Sequence, residues 1–383
     1  MPFQEDFAVE QFMDKYETNI LYNLGETCCY SLCLNELEQL TGERFELDRD
    51  LRFTYGAIKG SDELRSLVAS LYSDKEVKLD KDNVLITNGA IGANFLVSYT
   101  LAGPGDHVIC VDPTYQQLSS VPKMFGAEVE LLGLNRENDF IPDIGKLKSM
   151  IKKNTKCIVL NNPNNPLGSV IPTATLEEIA ALARKDEIRV ICDEVYRPLF
   201  HSHDSESQYP KSMCVLDPRG VVTGSMSKAF ACAGLRLGWI VSQDKTFLRD
   251  AASRRDYNTI SVSMVDDTIS RYVLKHRGAV LKRNMSLCKE NLEFLCNYLD
   301  GTNGKLSLVN KPAGGSVCLV QLDGIKDTEA FCSRLAEKYQ VLCVPGETFG
   351  VAGCIRIGYG NSIQELKKGL PILEQAYNEC FSN

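Results

Sequence analysis

One lysine lies in a run of small residues, next to two side chains that are suited to binding phosphate. Lys228 is flanked by serines and alanines in "GSMSKAFACAGLRLGW", residues 224–239. Burial among such residues removes water from the ammonium form, so the pKa falls and the amine becomes a nucleophile toward carbonyls. Ser225 supplies a hydroxyl and Arg236 a guanidinium, and both groups bind phosphate. The stretch therefore predicts an amine nucleophile beside a phosphate.

Four further residues could hold a flat, charged ring. Asp193 follows an apolar stretch and could pair with a cationic ring nitrogen, although an aspartate in this position can also cap a turn. Tyr196 and Asn165 could each donate a hydrogen bond to a ring oxygen, from a phenol and an amide. Tyr115 could cover one face of the ring by stacking. These residue types favour a ring-shaped ligand next to the lysine.

A stretch of small residues could bind the anion. In "TNGAIGAN", residues 87–94, small residues open a predicted helix. The backbone N–H groups of Gly89, Ala90 and Ile91 would then be free to hold a phosphate. Taken alone this pattern is weak, because glycine turns also end strands that bind nothing.

Seven predicted strands would bring these residues to one edge of a sheet. Apolar, β-branched stretches alternate with helical patterns, which predicts an α/β fold with a mostly parallel seven-stranded sheet covered by helices on both faces. The stretches are "NVLITN", "HVICVD", "AEVELLGL", "KCIVLNN", "IRVICDE", "GVVTGS" and "LGWIVS". Ligands bind at the carboxyl ends of the strands in such sheets. Five of these ends lead into Gly89, Tyr115, Asn165, Asp193 and Lys228.

The rest of the chain predicts a smaller α+β domain. After about residue 243, long helical patterns are followed by the short strand candidates "GKLSLV", "GSVCLVQL", "VLCVP" and "CIRIGYG". The first 40 or so residues are too short for a domain of their own, so we expect them to join the smaller one. The predicted division is 1–43 for an N-terminal arm and part of the small domain, 44–272 for the large domain, and 273–383 for the small C-terminal domain.

The composition excludes several classes of protein. A formal net charge of −8 argues against nucleic acid or an anionic membrane as the main partner. No apolar run approaches a membrane span and the first residues lack a signal-peptide pattern, so we expect a cytoplasmic protein. Fifteen cysteines without a Cys-x-x-Cys pair indicate free buried thiols. His201 and His203 are the only close histidine pair, which is too few ligands for a metal site, so none is expected.

Four motifs, in chain order, resemble the class I/II aminotransferases, which are fold type I pyridoxal-phosphate enzymes. They are "NNPNNPLG", "CDEVY", "SMSKAFACAGLRLGW" and "CIRIGYG". Asn165 and Asp193 are 28 positions apart, Asp193 and Lys228 are 35 apart, and Lys228 and Arg236 are 8 apart. The resemblance covers essentially the whole chain. It implies a pyridoxal 5'-phosphate-dependent enzyme that exchanges an amino group between an L-α-amino acid and a 2-oxo acid.

The resemblance implies a role for each residue around the cofactor. Lys228 would form the internal aldimine and shuttle the substrate proton, and Asp193 would keep the pyridine nitrogen protonated. Asn165 and Tyr196 would hold the phenolate oxygen of the ring, while Tyr115 would stack on its face. The phosphate would be held by Gly89, Ala90, Ile91, Ser225, Arg236 and, from the neighbouring subunit, Tyr55 in "FTYGAIKGSDELR".

The resemblance also implies how a substrate binds. Arg356 would clamp its α-carboxylate bidentately, with Asn165 beside it. Gly25, in "NLGET", would belong to a mobile N-terminal segment near the substrate. A contribution of Tyr55 from a second subunit implies a homodimer, and the Asn165–Pro166 bond is expected to be cis.

The sequence departs from the family pattern beside the substrate. After Gly25 the family often has an acid and a proline, whereas this chain has "GETCCYSL". We therefore expect Cys28, Cys29 and Tyr30 to line the substrate side of the site.

The reaction type has an alternative. "RDYNTIS", "VPGETFG" and "IRIGYG" also resemble the capreomycidine synthase branch, so a lyase or cyclase that uses the same site is the second hypothesis. No second arginine plainly marks a site for dicarboxylates. Arg254 and Arg255 are interpreted as cations at a helix end.

Overall fold

The strands of the computed structural model form three sheets. The structure describes residues 4–203 and 205–381, so the predicted domain limits at positions 1 and 383 lie outside the described residues. The strands are β1 (Tyr22–Asn23), β2 (Val84–Thr87), β3 (His107–Asp112), β4 (Glu128–Gly133), β5 (Thr155–Asn161), β6 (Arg189–Asp193), β7 (Val221–Ser225), β8 (Gly238–Ser242), β9 (Leu306–Leu308), β10 (Val317–Leu322), β11 (Val341–Leu342), β12 (Val344–Pro345) and β13 (Cys354–Gly358).

The helices follow the strands in alternation and then dominate the second half of the chain. They are α1 (Ala8–Tyr16), α2 (Leu34–Thr41), α3 (Asp62–Tyr72), α4 (Gly89–Leu101), α5 (Gln117–Met124), α6 (Ile144–Met150), α7 (Thr173–Lys185), α8 (Met213–Leu216), α9 (Lys245–Arg255), α10 (Met264–Lys275), α11 (Arg277–Asp300), α12 (Thr328–Tyr339) and α13 (Ile363–Glu379). Within the described residues, no helix combines the length and apolar character needed to cross a membrane.

The largest sheet has seven strands in the order β2-β8-β7-β6-β5-β3-β4. Only β8 runs antiparallel to its neighbours, and the other pairs are parallel. All seven predicted stretches form these strands, so the prediction of a mostly parallel sheet is confirmed.

Helices cover this sheet on both faces. In β3, the side chain of Ile109 joins a core that includes Ile179 of α7, while Cys110 joins another core with Leu96 of α4. Because side chains alternate between the faces of a strand, both faces must be apolar, which explains the continuous apolar runs. All fifteen cysteines are free and most are buried, as predicted.

The smaller sheet and the N-terminal segment form one unit. The order β12-β13-β10-β9 is antiparallel, and a separate parallel pair joins β1 to β11. The predicted strand "VLCVP" is therefore two strands, which separate at Cys343 and pair with different partners. The pairing of β1 with β11 places Tyr22 and Asn23 beside Val341 and Leu342.

Candidate active site

A cavity of about 550 Å³ lies at the carboxyl ends of the large sheet, under α1 and beside β13. Most of the predicted site residues line it: Gly25, Ala90, Ile91, Tyr115, Asn165, Asp193, Tyr196, Ser225, Lys228, Arg236 and Arg356. Gly89 lies next to the guanidinium group of Arg236. Tyr55 does not line the cavity of its own chain, and 71% of its surface is exposed.

Asp193 is a buried carboxylate at the end of β6. Its Oδ2 accepts a hydrogen bond from Asn94 Nδ2 at 2.8 Å, and its Oδ1 accepts one from the Val195 N–H at 2.9 Å. Asn94 in turn accepts a hydrogen bond of 2.7 Å from the Thr223 hydroxyl. Burial raises the pKa of Asp193 to about 6, although these hydrogen bonds oppose the effect. A cation in the cavity would therefore stabilise the ionised carboxylate.

Lys228 points into the cavity and has partners there. Its Nζ donates a hydrogen bond to Thr27 Oγ1 and lies 3.4 Å from Cys28 Sγ. Burial lowers the pKa of Lys228, but Cys28, Tyr196 and Glu26 raise it above its ordinary value. Of these three groups, Glu26 is the one that is negatively charged at neutral pH. Cys28 and Tyr196 stay neutral, because burial raises the pKa of the Cys28 thiol to about 11 and also raises that of the Tyr196 phenol. The predicted low pKa of this lysine is wrong, since the prediction assumed an amine without partners.

Two positively charged features face each other at one end of the cavity. The first turn of α4 has no side-chain cap from Asn88, so its N–H groups carry the positive end of the helix dipole. Gly89 has a φ of 69°, and a Cβ there would lie 3.0 Å from Arg236 Nη2. Ser225 is buried beside them, and its Oγ accepts the Ser227 N–H at 3.2 Å. The arrangement fits an anion held between a helix N-terminus and a guanidinium.

Arg356 lies at the other end of the cavity, on β13. Its Nη1 donates to Asn165 Oδ1 at 3.3 Å and its Nη2 to the Gly25 carbonyl at 3.0 Å. The Nε atom is buried without a hydrogen-bond partner among the described residues. Burial lowers the pKa of Arg356. A carboxylate in the cavity could accept the hydrogen bond that this guanidinium has left to donate.

Tyr196 and Asn165 lie between the two ends. The Tyr196 hydroxyl is buried and approaches Thr27 without a hydrogen bond of good geometry. Asn165 is held by its own N–H, which donates to Asn161 Oδ1 at 2.7 Å. The Asn165–Pro166 bond is cis, as predicted. Both side chains are therefore placed to donate to an oxygen inside the cavity.

The N-terminal arm covers the cavity. Helix α1 contributes Val9, Glu10 and Met13 to the wall, and the Tyr115 hydroxyl donates to Glu10 Oε1 at 2.8 Å. The Tyr115 ring also contacts Phe7, with ring centroids 5.0 Å apart. The predicted stacking residue therefore also holds the arm to the large domain.

The prediction for the segment after Gly25 is partly wrong. Cys28 lines the cavity, but Cys29 faces away, and its Sγ lies 3.7 Å from that of Cys288 on α11. Tyr30 is 47% exposed and its carbonyl accepts a hydrogen bond from Arg283. Adjacent residues of an extended segment point in opposite directions, so only one of the two cysteines can face the ligand.

The two arginines near residue 255 are cations of a helix end, as interpreted. Arg254 and Arg255 occupy the last turn of α9. Arg255 is buried and donates to the carbonyl groups of Ile86 and Ile58. Neither arginine belongs to the wall of the cavity.

Five polar residues are among those of the cavity wall that were not assigned a role from the sequence. Asn94 lies one turn beyond Ala90 in the quoted stretch "TNGAIGAN", and the helical spacing of the two was the available signal. The others are Glu10, Glu17, Glu26 and Thr27. No sequence signal distinguishes these from ordinary polar residues of an N-terminal segment.

Comparison with known proteins relates this arrangement to a large family. The family model described as "Aminotransferase class I and II" matches residues 23–372. The capreomycidine synthase of Streptomyces vinaceus is 28% identical over 338 residues, which cover 88% of this chain and 83% of that protein. The aspartate aminotransferase of Thermotoga maritima is 29% identical over 329 residues, or 84% of this chain and 82% of that protein.

A solved structure is similar over the whole chain. The crystal structure of a PLP-dependent aminotransferase from Streptococcus suis 89-1591 superposes with a TM-score of 0.90 at 33% identity. The match covers 99% of each chain. The large sheet, the smaller sheet and the cavity wall thus lie almost entirely within the matched region.

Proposed function

Because this chain belongs to the aminotransferase class I and II family and is a pyridoxal-phosphate-dependent aminotransferase, we propose that the Lys228 amine would hold the cofactor at its aldehyde group and would carry the substrate's α-proton. The observation that carries the proposal is the meeting of Lys228, Asp193, Arg236 and Arg356 in one cavity. When bound, pyridoxal phosphate supplies an electron sink that stabilises negative charge at the substrate Cα. The chain's own residues must hold, orient and protonate the reacting groups.

Asp193 would bind the ring nitrogen. Its carboxylate is buried and has a raised pKa, so ionisation is favoured when a cation lies against it. Asn94 and Thr223 form a chain of hydrogen bonds that fixes one carboxylate oxygen. A fixed negative charge would keep the ring nitrogen protonated, and a protonated ring withdraws electrons more strongly.

The first turn of α4, Ser225 and Arg236 would hold the phosphate. The contact between Gly89 and the Arg236 guanidinium leaves two positive groups side by side, and a dianion between them would neutralise both. Tyr196 and Asn165 would donate to the ring oxygen, because the Tyr196 hydroxyl lacks a good acceptor among the described residues. These contacts would fix the ring against rotation.

Lys228 would hold the mobile proton. Its Nζ lies next to Thr27 Oγ1, a neutral hydroxyl that can accept from the ammonium and donate to the free amine. Since its pKa is raised, the lysine must lose a proton before it acts as a nucleophile or a base. Tyr196 is the third residue, after Lys228 and Asp193, to which we assign a catalytic role. It lines the same cavity as Lys228 and adds a second hydroxyl there.

Arg356 would bind the α-carboxylate of the substrate. Its guanidinium is already held in one orientation by Asn165 and Gly25, and a pre-oriented guanidinium pairs well with a carboxylate. This contact would place the substrate's α-carbon toward Lys228. The same site would then take the 2-oxo acid, which carries the same carboxylate.

We also propose a homodimer in which Tyr55 reaches the phosphate of the neighbouring subunit. Tyr55 is 71% exposed, Phe53 is 84% exposed and Tyr257 is 87% exposed, and exposed aromatic groups of this size are typical of protein interfaces. Light scattering on the purified protein tests the assembly. A monomeric mass at micromolar concentration would contradict it.

The division of the chain and its location are further proposals. Residues 1–43 would form the arm and part of the small domain, 44–272 the large domain and 273–383 the small C-terminal domain, supported by the pairing of β1 with β11. We place the enzyme in the cytoplasm, because all fifteen cysteines are free and a reducing compartment preserves thiols. Fluorescence microscopy of a tagged chain checks the location.

A lyase or cyclase reaction in the same cavity is the second candidate, and the similarity to a capreomycidine synthase favours it. Both reactions begin with removal of the α-proton. One experiment separates them: the holoenzyme receives an amino acid without any oxo acid. Amino transfer converts the cofactor band once and then stops, whereas elimination releases ammonia and oxo acid continuously.

A further inference from the structure

Three carboxylates line the wall of the cavity that the N-terminal segment provides. Glu10 lies on α1, Glu17 begins a short 3-10 turn after that helix, and Glu26 follows β1. The hydrogen-bond partners of Glu10 and Glu26 are neutral. Glu10 accepts from the Tyr115 hydroxyl at 2.8 Å, and Glu26 Oε1 accepts the N–H groups of the next two residues at 2.7 Å each.

The charges of Glu10 and Glu26 act on Glu17. Partial burial raises the pKa of Glu17, and the negative charges of Asp14, Glu26 and Glu10 raise it further. Like charges in a cleft with low-dielectric walls repel more strongly than on an open surface. The wall is thus a region of negative potential inside the cavity.

Burial raises the pKa of Glu26, but the charge of Lys228 and hydrogen bonds lower it below its ordinary value, and Glu10 and Glu26 also act on Arg356. In the proposed function, the cofactor and the α-carboxylate of the substrate would bind these two cations. Arg236 lies at the N-terminus of α4, where the phosphate would bind, and Lys228 lies beside Thr27. Arg356 is 2% exposed, and its unpartnered Nε marks the place of the α-carboxylate. Once the cofactor and the α-carboxylate are bound, no basic side chain of the cavity is left to neutralise Glu10, Glu17 and Glu26.

We propose that the amino donor has a cationic side chain, whose ammonium or guanidinium group binds against Glu10, Glu17 and Glu26. This inference rests on the proposed function, because it takes Arg356 as the site of the α-carboxylate. A cationic group would relieve the repulsion among the three carboxylates. A second carboxylate, as in aspartate or glutamate, would meet like charges, which costs binding free energy.

Binding of unreactive analogues to the holoenzyme tests the inference. α-Methyl-lysine has no α-hydrogen to lose, α-methylnorleucine is its neutral counterpart, and α-methylglutamate is the anionic one. We expect calorimetry to give a Kd for α-methyl-lysine about tenfold below that of α-methylnorleucine, with α-methylglutamate weaker than both. Measurements on the wild-type enzyme alone can overturn the inference. Equal affinities for the three analogues, or tighter binding of α-methylglutamate, would do so.

The triple variant E10Q/E17Q/E26Q assigns the preference to the carboxylates. Glutamine keeps an acceptor for Tyr115 and for the N–H groups of Thr27 and Cys28, so shape is preserved while charge is removed. The lysine analogue should lose its tenfold advantage, and the norleucine analogue should bind as before. The surface substitution Glu178→Gln on α7 is the matched control and should change neither affinity. A preference that persists in the triple variant would contradict the assignment.

Different results would overturn the proposed amino transfer and the proposed preference for a cationic side chain. The analogues report binding and do not depend on turnover, so continuous ammonia release from L-lysine would overturn amino transfer and leave the charge preference measurable. Conversely, conversion of the cofactor band by L-norleucine and L-lysine with equal KM would support amino transfer and overturn the cationic preference.

Discussion

The two ends of the cavity are built in different ways. Most residues of the cofactor end lie at or after the carboxyl ends of strands of one sheet, and Asp193 is fixed there by hydrogen bonds from Asn94 and Val195. The substrate end is assembled from α1, from the segment after β1 and from Arg356 on β13, and Glu10 and Arg356 are 346 positions apart in the chain. The first end is thus built mainly on one sheet, and the second is a contact between separate parts of the chain.

This difference has a functional meaning. In the proposed function, the cofactor end would hold pyridoxal phosphate, and its groups lie mainly on one sheet. The substrate end would decide which amino acid enters, and it lies on elements that can vary without disturbing the sheet. Substitutions at the first end should impair cofactor binding or turnover, and those at the second end should impair substrate binding alone.

Replacement of Lys228 by alanine should have the largest effect and abolish the function of the cofactor end. We expect turnover to fall about a thousandfold or more, because the covalent anchor and the proton carrier are lost together. The visible absorbance of the lysine-bound cofactor should disappear. Steady-state kinetics and spectra check this, with the exposed Lys156→Ala as the control; retained absorbance and turnover would refute the role.

The substitution Asp193→Asn should remove a pH dependence of stability. The carboxyl has a raised pKa of about 6 in the folded chain, so the folded state binds more protons than the unfolded state between its ordinary value and about 6. The free energy of unfolding of the cofactor-free protein should therefore fall as pH rises through this window, by roughly 3 kcal/mol at most, and stay constant above it.

Urea unfolding at pH 4.5 and pH 7 measures this contribution. The variant lacks the titrating group, so the wild-type protein should lose stability relative to the variant on going to pH 7. A difference between the two proteins that does not change with pH would show that the buried carboxyl does not titrate in this range.

The substitution Arg356→Gln should affect the substrate end alone. Loss of the guanidinium removes a charged, bidentate partner of the α-carboxylate, and we expect KM for the amino acid to rise about a hundredfold. Cofactor affinity should stay within about twofold, since Arg356 would not contact the cofactor phosphate. The surface arginine variant Arg334→Gln is the matched control, and an unchanged KM would place the carboxylate elsewhere.

The substitution Asn94→Ala should give the smallest effect and sharpen the comparison. Asn94 acts through Asp193, so its loss should weaken cofactor binding about tenfold while KM for the amino acid stays the same. Equilibrium dialysis measures the cofactor affinity, and Asn154→Ala, at an exposed position, serves as the control. A change confined to KM would contradict the division of the cavity into two ends.

The cofactor end could be predicted almost completely from the sequence. Asp193, Ser225 and Lys228 lie at or shortly after the ends of apolar strands, with Arg236 eight positions after Lys228, and parallel strands bring their carboxyl ends to one edge by their geometry. The pKa of Lys228 could not be predicted in this way. Burial lowers it, but it is raised by Tyr196 and by Cys28 and Glu26, which come from about 200 positions away.

The sequence by itself determined the seven strands and the residues at their ends, because continuous apolar stretches and strand-end motifs act over a few neighbouring positions. The tertiary structure alone decided that Cys28 faces the cavity while Cys29 packs against Cys288, and that Glu10, Glu17 and Glu26 share one wall. The physical reason is that a glutamate in an N-terminal helix has the same local pattern whether it faces water or a ligand. Only the packing of α1 over the sheet decides whether such a glutamate faces water or a ligand.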